Sequence, residues 1–561
     1  MARLSVLTVL AAAAFALSAC DSADASPVDP AFDPSAVDYD AVTSLDYETQ
    51  VRPLLAARNV LSPTATAEPG AAADYTLGAL VMAGPSGFVV PFDAAGSLLI
   101  RFVADLPDSA AIPFPNLKRL EADELRFVSR WIEGGARATV GGAVPFADAT
   151  DLLFACLQGE NTVDILDAET LRIIRRVRFA DHGFPISRTG AAMQYGPHHV
   201  AFEPGGSAWY VSLISNGAVA KLSTSLTMDP SDPAYLLGTA RMTTPGMLVV
   251  DGSTRADGTP SDRLYAGRST LSAASTSGFV VIDRSTMTVE EVATRFNVPH
   301  AIAVSPDGRF VLTASLTGNE VAVYDTATED LAYQTVDGPR TELIHFSFIG
   351  LHHRAVAPAV DHAAMGHAPA AGAPPAGAPP AGQAMHAYEA TLTSKTTNEV
   401  LFYGLSAAGV LELRGRAPGG TGPWHAHTGH DGTTIIIPNR GNGGVGGDTV
   451  TLLDAATRQT IRTVSAPAPA GPLSQPHSPA PDHAGERFFV TSSNLNGHWT
   501  PPYAFLGPAS SSGVRAALPS SQFGNLAAFA MDGTLIDVVQ LGEYPSGLEP
   551  FTVGVGGHGS M

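Results

Sequence analysis

Gly318-Asn-Glu-Val-Ala-Val-Tyr-Asp-Thr-Ala-Thr is the stretch on which the fold turns. Alternating, β-branched and aromatic residues from Val321 to Tyr324 make a strand, and Asp325-Thr-Ala-Thr is a turn into the next one. The same unit returns as Glu160-Asn-Thr-Val-Asp-Ile-Leu-Asp and as Gly447-Asp-Thr-Val-Thr-Leu-Leu-Asp. Weaker copies stand at Gly278-Phe-Val-Val-Ile-Asp and Gly524-Asn-Leu-Ala-Ala-Phe-Ala-Met-Asp. Self-similarity of this kind marks a repeat architecture.

A second motif precedes each unit: a proline, an apolar strand, then often a glycine turn. It reads Gly196-Pro-His-His-Val-Ala-Phe, Thr244-Pro-Gly-Met-Leu-Val-Val, Val298-Pro-His-Ala-Ile-Ala-Val and Gly422-Pro-Trp-His-Ala-His. It continues at Gln475-Pro-His-Ser-Pro-Ala-Pro and Tyr544-Pro-Ser-Gly-Leu-Glu-Pro-Phe, with Leu343-Ile-His-Phe-Ser-Phe as a degenerate copy. Neighbouring starts lie about fifty residues apart, a blade-sized interval. Seven starts predict a mainly β chain folded as a seven-bladed β-propeller over residues 150–556. The start at Tyr544 has no unit after it, and the unit at Leu152 has no start before it. The C-terminal strand should therefore complete the first blade and close the ring, removing the free edges.

With Ser305-Pro-Asp-Gly and Asn319-x-Val-x-Val-x-Asp, the pattern resembles the YVTN-type propellers of exported bacterial proteins. That resemblance implies the fold and leaves the function open, because propellers host binding proteins, enzymes and scaffolds alike.

The N-terminus points to export. Met1-Ala-Arg is followed by an apolar run from Leu4 to Leu17, too short to span a membrane as a mature helix, and then by Leu17-Ser-Ala-Cys20. Small residues before Cys20 resemble the lipobox of bacterial lipoproteins. The resemblance implies a signal peptide at 1–19, lipidation of Cys20, a tether at 20–43 and a cell-envelope location, periplasmic or surface-facing. A lipid anchor would make the membrane a partner without inserting the chain in it. Cys156 is then the sole thiol of the mature chain, which excludes an internal disulfide and covalent c-type haem. A net charge of −21 with three lysines argues against nucleic acid.

Residues 44–140 read differently. Leu120-Glu-Ala-Asp-Glu-Leu-Arg-Phe-Val-Ser-Arg-Trp-Ile-Glu-Gly-Gly is an amphipathic helix with an acidic first turn and a glycine stop. Together with Val51-Arg-Pro-Leu-Leu, it resembles the small cytochrome c domains attached to exported bacterial proteins. Ala56-Ala-Arg-Asn-Val-Leu stands where C-x-x-C-H would be, and Ile112-Pro113 where an axial Met-Pro is expected. The resemblance therefore implies a helical shell without its haem.

Histidine carries the functional signal. The 17 histidines begin at His182, and several fall where the proline motif enters a blade: His198, His199, His300, His345, His425, His427 and His477. In a propeller these positions ring one mouth of the channel. Clustered imidazoles without thiolates suit copper or a non-covalent haem iron. The set resembles the histidine pattern of nitrous oxide reductase, an exported seven-bladed propeller that holds a copper–sulfide cluster on histidines including one adjacent pair. The family's C-terminal cupredoxin domain has no counterpart in these residues. The competing reading is that Pro-His belongs to the repeat, each imidazole bonding backbone at its turn.

A Pro/Ala/Gly-rich insertion at 352–386 interrupts the fifth blade and carries His352, His353, His362, Met365, His367, Met385 and His386. Alternating Met and His resembles the copper-binding stretches of periplasmic copper-handling proteins, while a compositional origin remains the alternative. Two functions follow as expectations. One is a non-enzymatic binding module for copper or an envelope protein partner in a respiratory or metal-handling assembly. The other is a redox enzyme with copper or haem held at the channel mouth.

Overall fold

The prolines and turn aspartates divide the chain at regular intervals, and the strands between them pair as the repeats require. The computed structural model describes residues 32–58, 76–82, 86–104, 119–186, 195–255, 257–269, 277–336, 342–348, 386–429, 432–442, 444–501, 523–553 and 556–557. The signal peptide expected at 1–19, Cys20, Ile112-Pro113 and the insertion from His352 to Met385 lie outside them. His386 begins a strand, His386–Ser394, whose backbone alone is described at that position.

Seven antiparallel sheets form the propeller. The second blade starts on Pro197–Phe202, the third on Pro245–Val250, the fourth on Pro299–Val304 and the fifth on Leu343–Phe348. In the sixth, a bridge at Pro423 leads to the short strand His427–Thr428, and the seventh begins on Pro476–Pro481. The first blade is closed as the repeat count requires. Pro545–Thr552 pairs with Asp151–Leu157, aligning Asp151 with Thr552 and Leu157 with Pro545. The two ends of the propeller thus share one sheet.

Innermost strands are buried on both faces, which is why they read as continuous apolar runs, whereas outer strands such as Val289–Val292 are largely exposed. Neighbouring blades pack through large side chains. Phe154 meets Phe202 at 4.9 Å and Trp209 at 5.1 Å, edge to face, and Phe202 stacks on Phe551 at 4.7 Å. This aromatic contact joins the closing strand to the second blade.

Before the propeller, the helices Arg52–Ala57, Leu77–Met82, Leu98–Ala104 and Ala122–Glu133 bury Leu54, Phe102, Phe127 and Trp131 in a common core. Glu121 and Glu124 form a reciprocal cap at the start of the last helix. At the place where the resembled family carries its haem motif, Arg58 pairs with the buried Glu124 at 2.7 Å. Asp93 and Ser86 bond to Arg178 and Ile173 of the first blade, which seats this segment against the propeller flank. Among the described residues, no helix is long and apolar enough to cross a membrane.

Candidate metal centre

The backbone of the innermost strands is irregular where the histidines stand. Pairing with the second strand shifts register between Pro197 and Val200, Pro299 and Ala301, Leu343 and Phe346, and Pro476 and Pro479. His198, His199, His300, His345 and His477 all fall inside these bulges. A bulge turns its extra residue out of the sheet, here toward the channel. Five of these strands are also approached through a non-glycine residue in the left-handed region: Thr244, Val298, Glu342, Gln475 and Tyr544. Left-handed backbone is costly for β-branched Thr244 and Val298, and such strain gathers at functional sites. In the first blade the corresponding position is Gly547, where any side chain would collide with the carbonyl of His198. A small residue there leaves space for the adjacent pair.

The histidines of five blades meet. His425 is the hub: its ring lies 4.9 Å from His477, 5.1 Å from His345, 6.1 Å from His198 and 6.3 Å from His199. His198 is 5.5 Å from His300 and 6.2 Å from His477. One nitrogen from each of His198, His300 and His425 falls within 4.8 Å of the others. His427 stands at the edge of the group, against His345. None of the seven is more than 8 % exposed.

Each ring has one nitrogen engaged by protein. His300 Nδ1 donates to the Arg268 carbonyl at 3.0 Å and His427 Nδ1 to that of Thr428 at 3.0 Å. His198 Nδ1 meets the Gln158 amide at 2.6 Å, and His425 Nδ1 meets Ser478 Oγ at 3.1 Å. His477 Nε2 accepts from Trp424 Nε1 at 3.1 Å, and Nδ1 of His199 and of His345 accept from the amides of Leu248 and Ala426. The opposite nitrogens of His198, His199, His425, His427 and His477 have no hydrogen-bond partner among the described residues. Backbone contacts alone are what the repeat-consensus reading requires. Five buried, partnerless ring nitrogens go beyond it, because such groups cost about 1–3 kcal/mol each if left unmet.

Burial first, and then the neighbouring imidazoles and Arg440, holds His198, His345, His425 and His477 well below the ordinary histidine range. His300 is pushed down to about 4. These five rings are therefore neutral at pH 7, the form that ligates metal. The stability consequence has a definite sign. Below about pH 6.5 the unfolded chain takes up protons that the folded cluster refuses. Metal-free protein should lose stability as pH falls from 6.5 toward 4, on the order of 3 kcal/mol from His300 alone by the end of that window. Urea unfolding at pH 7.5 and pH 5, compared with His300→Gln, checks this; equal slopes in the two proteins would contradict it.

Seven imidazoles outnumber the four donors of a structural zinc site, and among the described residues His198, His300 and His425 form the one group whose nitrogens approach closely enough to share an ion. Ring separations near 5–6 Å admit metal ions between the rings. Trp424 caps the mouth over His477, with Arg440 stacked on Trp424 at 4.4 Å. Cys156 is buried in the core, its thiol pushed up by burial. Two contributors went unread in the sequence: Gln158, which orients His198, and the buried Glu549, whose Oε1 lies 3.1 Å from His199 Nε2. A single carboxylate in the fully buried strand Pro545–Thr552 was the available signal for Glu549.

No known family profile and no curated protein matches this chain. Among solved structures, a protein of unknown function from Desulfotomaculum acetoxidans shares 10% identity at a TM-score of 0.45, covering 71% of this chain and 98% of that one. The periplasmic gluconolactonase of Pseudomonas aeruginosa shares 16% at 0.44, covering 72% and 100%. Kuenenia stuttgartiensis hydrazine synthase shares 13% at 0.40, covering 64% and 93%. Likenesses this distant add nothing to the strand pairing, which by itself defines the seven blades.

Proposed function

We propose that this chain is a copper-dependent redox enzyme of the bacterial cell envelope, with a polynuclear centre held by the propeller's histidines. The observation that carries the reading is the convergence of seven buried imidazoles from five blades, five of them with a partnerless nitrogen. Imidazole without thiolate favours copper at the top of the divalent affinity order. A protein that takes up and releases copper needs exposed ligands; these are sealed, which suits a resident cofactor. Bound copper would relay electrons from an external one-electron donor to a substrate reduced at the channel centre. The chain's own part is to fix the ring orientations through Arg268, Gln158, Ser478 and Trp424, and to exclude bulk water.

The sealed site restricts the substrate to small, uncharged molecules. The resemblance of the histidine set to that of nitrous oxide reductase makes nitrous oxide the first to test, a reduction consuming two electrons and two protons to give dinitrogen and water. Copper-loaded protein should oxidise reduced viologen in the presence of nitrous oxide, and apo-protein should not. Loaded protein inert toward nitrous oxide would leave the copper-binding module as the better reading. In the same proposal, lipidated Cys20 tethers the enzyme to the envelope and residues 44–140 are a cytochrome-c-like shell without haem. The Met/His stretch from His352 to His386 gathers copper for the centre.

A further inference from the structure

The closing strand of the ring brings a carboxylate to the histidines. Glu549 lies on Pro545–Thr552 opposite Phe154 and is 2 % exposed. Its Oε1 stands 3.1 Å from Nε2 of His199, yet without hydrogen-bond alignment, and neither that nitrogen nor Glu549 Oε2 has a partner among the described residues. The other titratable group facing Glu549 is the neutral thiol of Cys156, and no arginine or lysine among the described residues pairs with it. A carboxylate buried without a cation is strongly unfavourable. The nearest imidazole, His199, is not aligned to donate a hydrogen bond to it.

We infer that Glu549 is a donor to the central metal site, sharing an ion with His199. Bond lengths of about 2.0–2.2 Å in tetrahedral geometry place adjacent donors roughly 3.3 Å apart, close to the spacing here. One cation between His199 Nε2 and Glu549 Oε1 would meet the orphaned nitrogen and offset the buried charge. The site then draws on six blades, the first included, and metal loading ties the closing strand to the second blade. This rests on the copper reading above and adds to it a donor of a different chemical class.

The test uses the full chain as wild type, Glu549→Gln and Glu549→Asp, with copper titration, electron paramagnetic resonance of the oxidised centre, and thermal unfolding with and without copper. Glu549→Gln keeps the shape and loses the charge. It should bind copper about 10–100-fold more weakly with an altered spectrum, and Glu549→Asp should recover part of the loss. Without copper, Glu549→Gln should unfold at the wild-type temperature or above it, because an uncompensated buried charge has gone. Wild-type affinity and spectrum in Glu549→Gln would overturn the assignment. So would an equal fall in unfolding temperature with and without copper, which would mark a structural role. Wild-type protein that takes up no copper overturns the copper reading itself, and this assignment with it.

Discussion

A His300→Ala/His425→Ala protein is expected to fold and to hold almost no copper. His425 touches four other imidazoles, and His300 places a ring nitrogen within 4.8 Å of one from His198 and one from His425. Removing either leaves a gap that no neighbouring side chain fills with a donor. Spread over its ligands, the binding energy of a well-formed metal site is roughly 3 kcal/mol per donor, so losing two weakens binding on the order of ten-thousand-fold. The folded state loses much less. Each imidazole gives up one hydrogen bond, about 1 kcal/mol, and some buried packing, while His425 also sheds an unmet nitrogen. Copper per chain after reconstitution, read beside the far-ultraviolet circular dichroism of the same sample, separates the two effects. A folded double variant that still carries the wild-type copper count would move the site away from the channel.

Deleting residues 545–561 is expected to abolish folding, although it removes no histidine of the cluster. Every residue of Pro545–Thr552 is buried, and Leu548 and Phe551 pack into different inter-blade cores. Losing two such side chains costs about 5–8 kcal/mol together, a large share of the ~5–15 kcal/mol that holds a domain. The deletion also leaves Asp151–Leu157 as an unpaired edge facing the channel. Gel filtration and limited proteolysis read the result directly. A compact, protease-resistant product would show that six blades and a partial seventh stand without the clasp.

The blade plan was legible because its signals are local. Asp167, Asp325 and Asp454 each end a strand and start a turn, and a proline precedes most innermost strands, so the repeat could be counted residue by residue. Closure followed from the unmatched ends at Leu152 and Tyr544. The meeting of the histidines was legible only as topology: Pro-His placed His198, His300 and His477 at the channel, and the degenerate fifth copy still delivered His345. Which nitrogen faces inward was beyond the sequence. It depends on bulges and on distant partners such as the Arg268 carbonyl and Gln158, which no local pattern announces. Glu549 was hidden for a related reason. Its chemistry appears only when the chain's last strand is laid beside its second blade.

Copper K-edge X-ray absorption on the purified full chain after copper loading reads the proposed centre itself. Multiple scattering from imidazole should dominate the protein signal, together with a copper–copper vector from ions sharing one small cavity. A spectrum with isolated copper on one or two imidazoles, or a protein that retains no copper, would contradict it.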